Sequence, residues 1–89
     1  MDMKRPRPAL GYQVELSDDG IVLLDPTGTK VVHGNRAGAL IWRLCDGQHT
    51  VAEIARLLSA VYPESAREVQ SDVREMLLRF AEYGAIIWA

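Results

Sequence analysis

The chain has 89 residues, which is one domain, and 48% of them are hydrophobic, so it can bury a core. A charged fraction of 25% and a formal net charge of -2 exclude both a disordered polymer and a strongly basic nucleic-acid binder. The single cysteine, Cys45, allows no disulfide within the chain, no run reaches the roughly 20 apolar residues that span a bilayer, and MDMKRPRPAL lacks the apolar stretch of a signal peptide; the expectation is a cytoplasmic protein with no membrane contact.

Residues 1–10 read as a flexible basic arm. Pro6 and Pro8 oppose a regular ladder or helix, and Lys4, Arg5 and Arg7 cluster beside them. The folded domain is expected over residues 11–89. Tyr12, Val14 and Leu16 alternate with Gln13 and Glu15, the period of a half-buried strand. Ser17-Asp18-Asp19-Gly20 is turn chemistry, and Ile21-Val22-Leu23-Leu24 is a short β-prone run suited to a central strand. Asp25-Pro26-Thr27-Gly28 is a second turn, with proline presetting one dihedral and glycine accepting a positive one. Lys30-Val31-Val32-His33 follows as a third strand. Tight connections on both sides predict an antiparallel meander with the Lys30–His33 strand on an edge.

From Asn35 the period becomes helical. Asn35 can cap a helix with Ala37, Leu40, Ile41, Leu44 and Cys45 on its apolar face, ending at Asp46-Gly47. Thr50-Val51-Ala52-Glu53 is a capping box before a second helix carrying Val51, Ile54, Ala55, Leu58 and Val61, stopped near Pro63. Ser65-Ala66-Arg67-Glu68 reads as another capping box. The helix it opens carries Val69, Val73, Met76, Leu77 and Phe80 on one stripe and ends at Gly84. Ala85-Ile86-Ile87-Trp88 is expected to pack on the core or extend a sheet edge. The predicted class is α+β: a three-stranded antiparallel sheet followed by a three-helix bundle, like a winged helix with its sheet first.

The residues of chemistry are sparse. His33 and His49 have no second ligand at a metal-binding spacing. Cys45 falls on an apolar stripe, where a free cysteine acts as a small hydrophobe. Gly34 and Gly38 do not fit a nucleotide fingerprint. No catalysis, metal or cofactor is expected. A helix-turn-helix can bind DNA, but Arg67, Arg74 and Arg79 on the third helix are nearly cancelled by Glu68, Asp72, Glu75 and Glu82. That leaves no cationic footprint for phosphate, so a winged-helix DNA-binding regulator is the alternative reading only. The edge strand Thr29-Lys30-Val31-Val32-His33 offers another use, because an extended peptide can add to an unpaired edge. Pockets between Val31 or His33 and Val69, Val73 or Met76 would then select side chains. On periodicity alone, the same apolar residues simply fill a core.

The segment Leu40-Ile41-Trp42-Arg43-Leu44-Cys45-Asp46-Gly47 followed by Thr50-Val51-Ala52-Glu53-Ile54 resembles the PqqD family. So does Val69-x-x-Asp72-Val73-x-x-Met76-Leu77-x-x-Phe80 closing on Tyr83-Gly84-Ala85-Ile86. The resemblance covers about residues 7–87. It implies a peptide-recognition domain, a non-catalytic adaptor that binds the leader of a ribosomally made precursor peptide and presents it to a modifying enzyme. That enzyme is a radical SAM protein in pyrroloquinoline quinone biosynthesis, or a leader peptidase in lasso-peptide pathways. The resemblance also implies that the leader docks as an added strand. Its contacts would be Thr29, Lys30, Val31, Val32 and His33 on the strand, and Val69, Asp72, Val73, Met76 and Arg79 on the third helix. Asp72 would accept from a leader group or serve a local cap or pair. Trp42 would pack under the sheet or meet a partner enzyme. Two features depart from the pattern: Thr29–Gly34 lacks an aromatic, and Ile86-Ile87-Trp88-Ala89 is apolar enough to serve a partner or a homodimer.

Overall fold

A meander forms where alternation and turn residues place it. The computed structural model describes all 89 residues, and strands β2 (Gln13–Ser17), β3 (Gly20–Leu24) and β4 (Val31–Asn35) pair antiparallel in the order β2-β3-β4. They are preceded by the short strand β1 (Pro6–Pro8). Leu23 lies opposite Val14 on one side and Val32 on the other. Residues opposed in this way share a face, so Ile21, Leu23 and Val32 form the buried side of the sheet. The β3–β4 turn is organised by Asp25. Its carboxylate accepts from the Thr29 and Lys30 amides at 2.8 and 3.0 Å and from the Thr27 hydroxyl at 2.8 Å. Gly28, in the same turn, has φ +75°, the left-handed conformation the turn motif calls for.

Helices α1 (Arg36–Leu44), α2 (Val51–Val61) and α3 (Ala66–Glu82) follow, and α1 packs directly on that face. Asn35 caps α1 by accepting from the Gly38 amide at 2.9 Å. The Thr50/Glu53 capping box is complete, with the Glu53 amide donating to Thr50 Oγ1 at 3.1 Å and the Thr50 amide to Glu53 Oε1 at 2.9 Å. The box expected at Ser65 is absent. Pro63–Ser65 forms a 3-10 turn that runs straight into α3, leaving Ser65 at ψ 23° instead of the extended backbone that turns a cap side chain back onto the helix. Ile41, Ile54, Leu58, Val73, Leu77 and Phe80 meet the sheet in one core. Trp42 packs inside it, edge-to-face with Phe80 at 5.5 Å, so it is not a partner contact.

Residues 1–10 correct the expectation of a loose arm. Strand β1 pairs antiparallel with β5 (Ile86–Trp88), and Pro6 is buried. The carbonyl oxygens of Asp2, Lys4 and Pro6 accept from the amides of Ala52, Val51 and Gly47 at 3.1, 2.9 and 2.9 Å. Two of these amides belong to the first turn of α2, which has no acceptors of its own there. Proline lacks a donor but keeps its carbonyl, so an edge ladder tolerates Pro6 and Pro8. Asp2 and Arg74 close the same corner with two contacts at 2.9 and 3.0 Å.

Candidate functional site: the open edge of β4

One bond sets the hydrogen-bonding phase of the whole sheet. The Asp25 amide donates to the Lys30 carbonyl at 3.0 Å, which makes 25–30 a hydrogen-bonded pair. Bonded and non-bonded pairs alternate along an antiparallel ladder. Val32 and Gly34 therefore spend their backbone groups on β3, while Val31 and His33 turn theirs outward. No strand occupies that side, so β4 is an open edge with two residues ready to pair.

Helix α3 runs beside this edge. A cleft of about 230 Å3 at the Asn35 end is lined by Asn35, Ala37, Gly38, Ile41, Asp72, Glu75, Met76 and Arg79. At the other end, Lys30 shares a cleft with Glu82 and Tyr83. Helix and strand thus run in opposite directions along one groove. Their lengths agree: six strand residues span about 17 Å from Lys30 to Asn35, and Asp72 to Glu82 spans about 15 Å. Gly34 and Gly38 shape the floor. A Cβ on Gly34 would lie 2.8 Å from Ile21 Cγ2, so that position must stay small, and one on Gly38 would press at 3.2 Å on Met76 Cε. Lys30, Asp72, Glu75, Arg79 and Glu82 make no ion pair with each other; the two ion pairs of the molecule, Asp2–Arg74 and Asp46–His49, lie elsewhere. The groove therefore presents a flexible apolar floor under unpaired charges.

The expected contact residues divide into three groups. Val31, His33 and Lys30 lie on the edge, and Asp72, Met76 and Arg79 line the cleft. Val32 and Val73 are 1% and 0% exposed, and Val69 is buried with only its flank reaching a neighbouring cleft beside Tyr62, Glu68 and Asp72. Side-chain contacts from Val32 and Val73 are thereby corrected: both are core. Thr29 sits in the preceding turn, with its amide donating to Asp25 and its hydroxyl bonded to Thr27. Asn35, Glu75, Glu82 and Tyr83 line the same clefts, and 72, 75, 79 and 82 follow helical spacing on one stripe.

Neither cysteine nor histidine lines the two clefts beside α3. Burial, helped by Asp46, pushes the Cys45 thiol up to about 12, and its Sγ donates to the Ile41 carbonyl. That keeps it a thiol at neutral pH. His49 sits on Asp46 at 3.0 Å, and no three His, Cys, Asp or Glu side chains gather to hold a metal ion.

Residues 20–86 match the family model described as coenzyme PQQ synthesis protein D (PqqD). The matched span contains β3, β4 and all three helices, and so the whole groove. Among solved structures, lasso peptide synthetase B1 complexed with the leader peptide is similar at 28% identity, over 93% of this chain and 98% of that one, with a TM-score of 0.73. TbiB1 in complex with the TbiA(beta) leader peptide is similar at 22% identity, over 90% and 93%, with a TM-score of 0.74. The PqqD truncation of Methylobacterium extorquens PqqCD, described as a functional, stand-alone recognition element for ribosomally synthesised and modified peptides, is similar at 24% identity, over 92% and 87%, with a TM-score of 0.70. A comparison with curated proteins gives no match.

Proposed function

We propose that this chain, which belongs to the PqqD family, is a non-catalytic adaptor that captures the leader of a ribosomally made precursor peptide and presents it to a modifying enzyme. The observation that carries this reading is the open β4 edge with α3 close to both of its ends. A leader strand would bond to the outward N–H and C=O groups of Val31 and His33, which gives affinity independent of sequence. Met76 would yield to an apolar leader side chain, and Asp72, Glu75, Arg79, Lys30 and Glu82 would read the polar ones. The likeness to a B1 protein solved with its leader supports the same use of the fold. Binding raises the concentration of the precursor's modified region at an enzyme held in the same complex. The enzyme would be a leader peptidase or a radical SAM protein. A cytoplasmic setting fits the one buried, unpaired cysteine.

Fluorescence anisotropy tests this with the labelled leader encoded beside the gene. Saturable binding at micromolar concentration or tighter is expected, weakened at least tenfold by Met76→Asp. Absence of binding by folded protein, or equal binding by that variant, removes the β4 groove as the leader site.

A further inference from the structure

The geometry points to a second strand-addition surface on the opposite edge of the sheet, where β2 and α1 receive an extended acidic segment of a partner protein. The phase that turns Val31 and His33 outward on β4 also settles β2. Leu23 and Ile21 bond toward β4, so Val22 and Leu24 bond toward β2, and their partners there are Glu15 and Gln13. Val14 and Leu16 are left with N–H and C=O groups facing open space. Their side chains lie on the helix-covered face, opposite the buried Leu23 and Ile21, yet remain 37% and 41% exposed. On the same face β4 seals Val32 to 1%. The cover that protects β4's apolar residue is missing at β2.

Natural edges are usually blunted by charge, proline or a bulge. Strand β2 is five residues long and regularly paired, and its one charge, Glu15, points to the other face. Where α1 approaches it, a cleft of about 300 Å3 is lined by Ser17, Asp18, Ala39, Leu40, Arg36 and Arg43. The apolar floor is Ala39 and Leu40. Arg36 is held at the rim by donating from Nε to the Asp18 carbonyl at 3.0 Å, and Arg43 makes no ion pair. Two cations against one acid give this cleft the opposite sign from the β4 cleft, where Asp72 and Glu75 outnumber Arg79. An occupant complementary to it has apolar residues at alternate positions, to cover Val14, Leu16 and Leu40, and carboxylates that reach Arg36 and Arg43. Five residues of β2 span about 14 Å from Gln13 to Ser17, so a segment of five or six residues fills the edge. With β4 loaded as well, the partner's strand and the leader would join one continuous sheet, which fixes their mutual position. This surface does not depend on the identity of the β4 ligand.

The test uses the full 15N-labelled chain and two synthetic ten-residue peptides, one alternating valine with glutamate and one alternating valine with lysine. Saturable shifts at the Val14–Ser17 and Arg36–Arg43 amides are expected with the acidic peptide. The basic peptide should bind at least tenfold more weakly, and Leu16→Asp and Arg43→Glu should each cost the acidic peptide at least tenfold. Both substitutions are at exposed positions, so retention of the wild-type amide spectrum elsewhere separates lost binding from lost folding. Shifts confined to Val31 and His33, equal binding of both peptides, or absence of shifts at β2 would overturn the inference. So would a concentration-dependent dimer in sedimentation that Leu16→Asp dissolves, because the edge would then belong to a second copy. Leader anisotropy reports the β4 groove separately, so failure at one edge leaves the other intact.

Discussion

Met76 and Val73 sit three residues apart on α3 and were read from the sequence as one apolar stripe, but they do different work. Val73 is fully enclosed, whereas Met76 lines the cleft that α3 forms with Asn35 and α1. Val73→Asp would bury an unpaired charge and is expected to leave no cooperative unfolding transition at 25 °C. Met76→Asp should keep its transition and lose leader affinity. Circular dichroism melts beside anisotropy separate the two. Thr50→Ala is a smaller change: it removes the acceptor of the Glu53 amide and should cost about 1 kcal/mol in urea unfolding. Asp25 joins structure to site, since the amides it holds belong to the residues that lead into β4. Asp25→Ala is therefore expected to lower both the urea midpoint and leader affinity.

At the level of the element, the direction of each backbone group decides what a proline does. By alternation from the Asp25–Lys30 bond, Val32 donates into the sheet and His33 donates outward. Val32→Pro should therefore lower the melting temperature sharply. His33→Pro, on an edge where proline is tolerated, should leave it nearly unchanged while weakening leader binding at least tenfold. The reverse ranking would show that the phase is wrong. The N-terminal strand makes a second element-scale prediction. Removing residues 1–5 deprives the Val51 and Ala52 amides of their acceptors and breaks the Asp2–Arg74 pair. Hydrogen exchange in the first turn of α2 should accelerate before the rest of that helix is affected.

For the whole molecule, shifted carboxylates predict an acid limit. The Arg74 side chain holds Asp2 down, the Lys30 amide holds Asp25, the Gln48 amide holds Asp46, and the Thr50 amide holds Glu53, against ordinary values of 3.8 for the aspartates and 4.5 for Glu53. Each is more acidic folded than unfolded, so its contribution is present above the unfolded value and lost as pH falls through the lower folded one. On the alkaline side burial raises Cys45, and burial with Asp25 nearby raises Tyr12, whose hydroxyl donates to the Tyr83 carbonyl. There the unfolded chain releases protons first, so stability falls as pH rises past the ordinary 9.0 and 10.0. Urea midpoints across pH should show a plateau between these limits, with Asp25→Ala flattening the acid limb.

The sequence by itself determined what depends on near neighbours. The Asp25-Pro26-Thr27-Gly28 turn and the Asn35 and Thr50 caps involve residues within about five positions of one another, and each appeared as expected, whereas the stripe of the second helix lost its last member, since Val61 is exposed. Ser65 failed even at that range, because a turn built by Pro63 took the backbone first. Distance along the chain was the wider limit. The pairing of Pro6 with Trp88, the burial of Val73 beside an accessible Met76, and the absence of a neighbour on β2 and β4 are decided by elements far apart in sequence. A residue's periodicity assigns it a face; only the packed structure assigns that face a neighbour or leaves it open, and an open edge is what the proposed function needs.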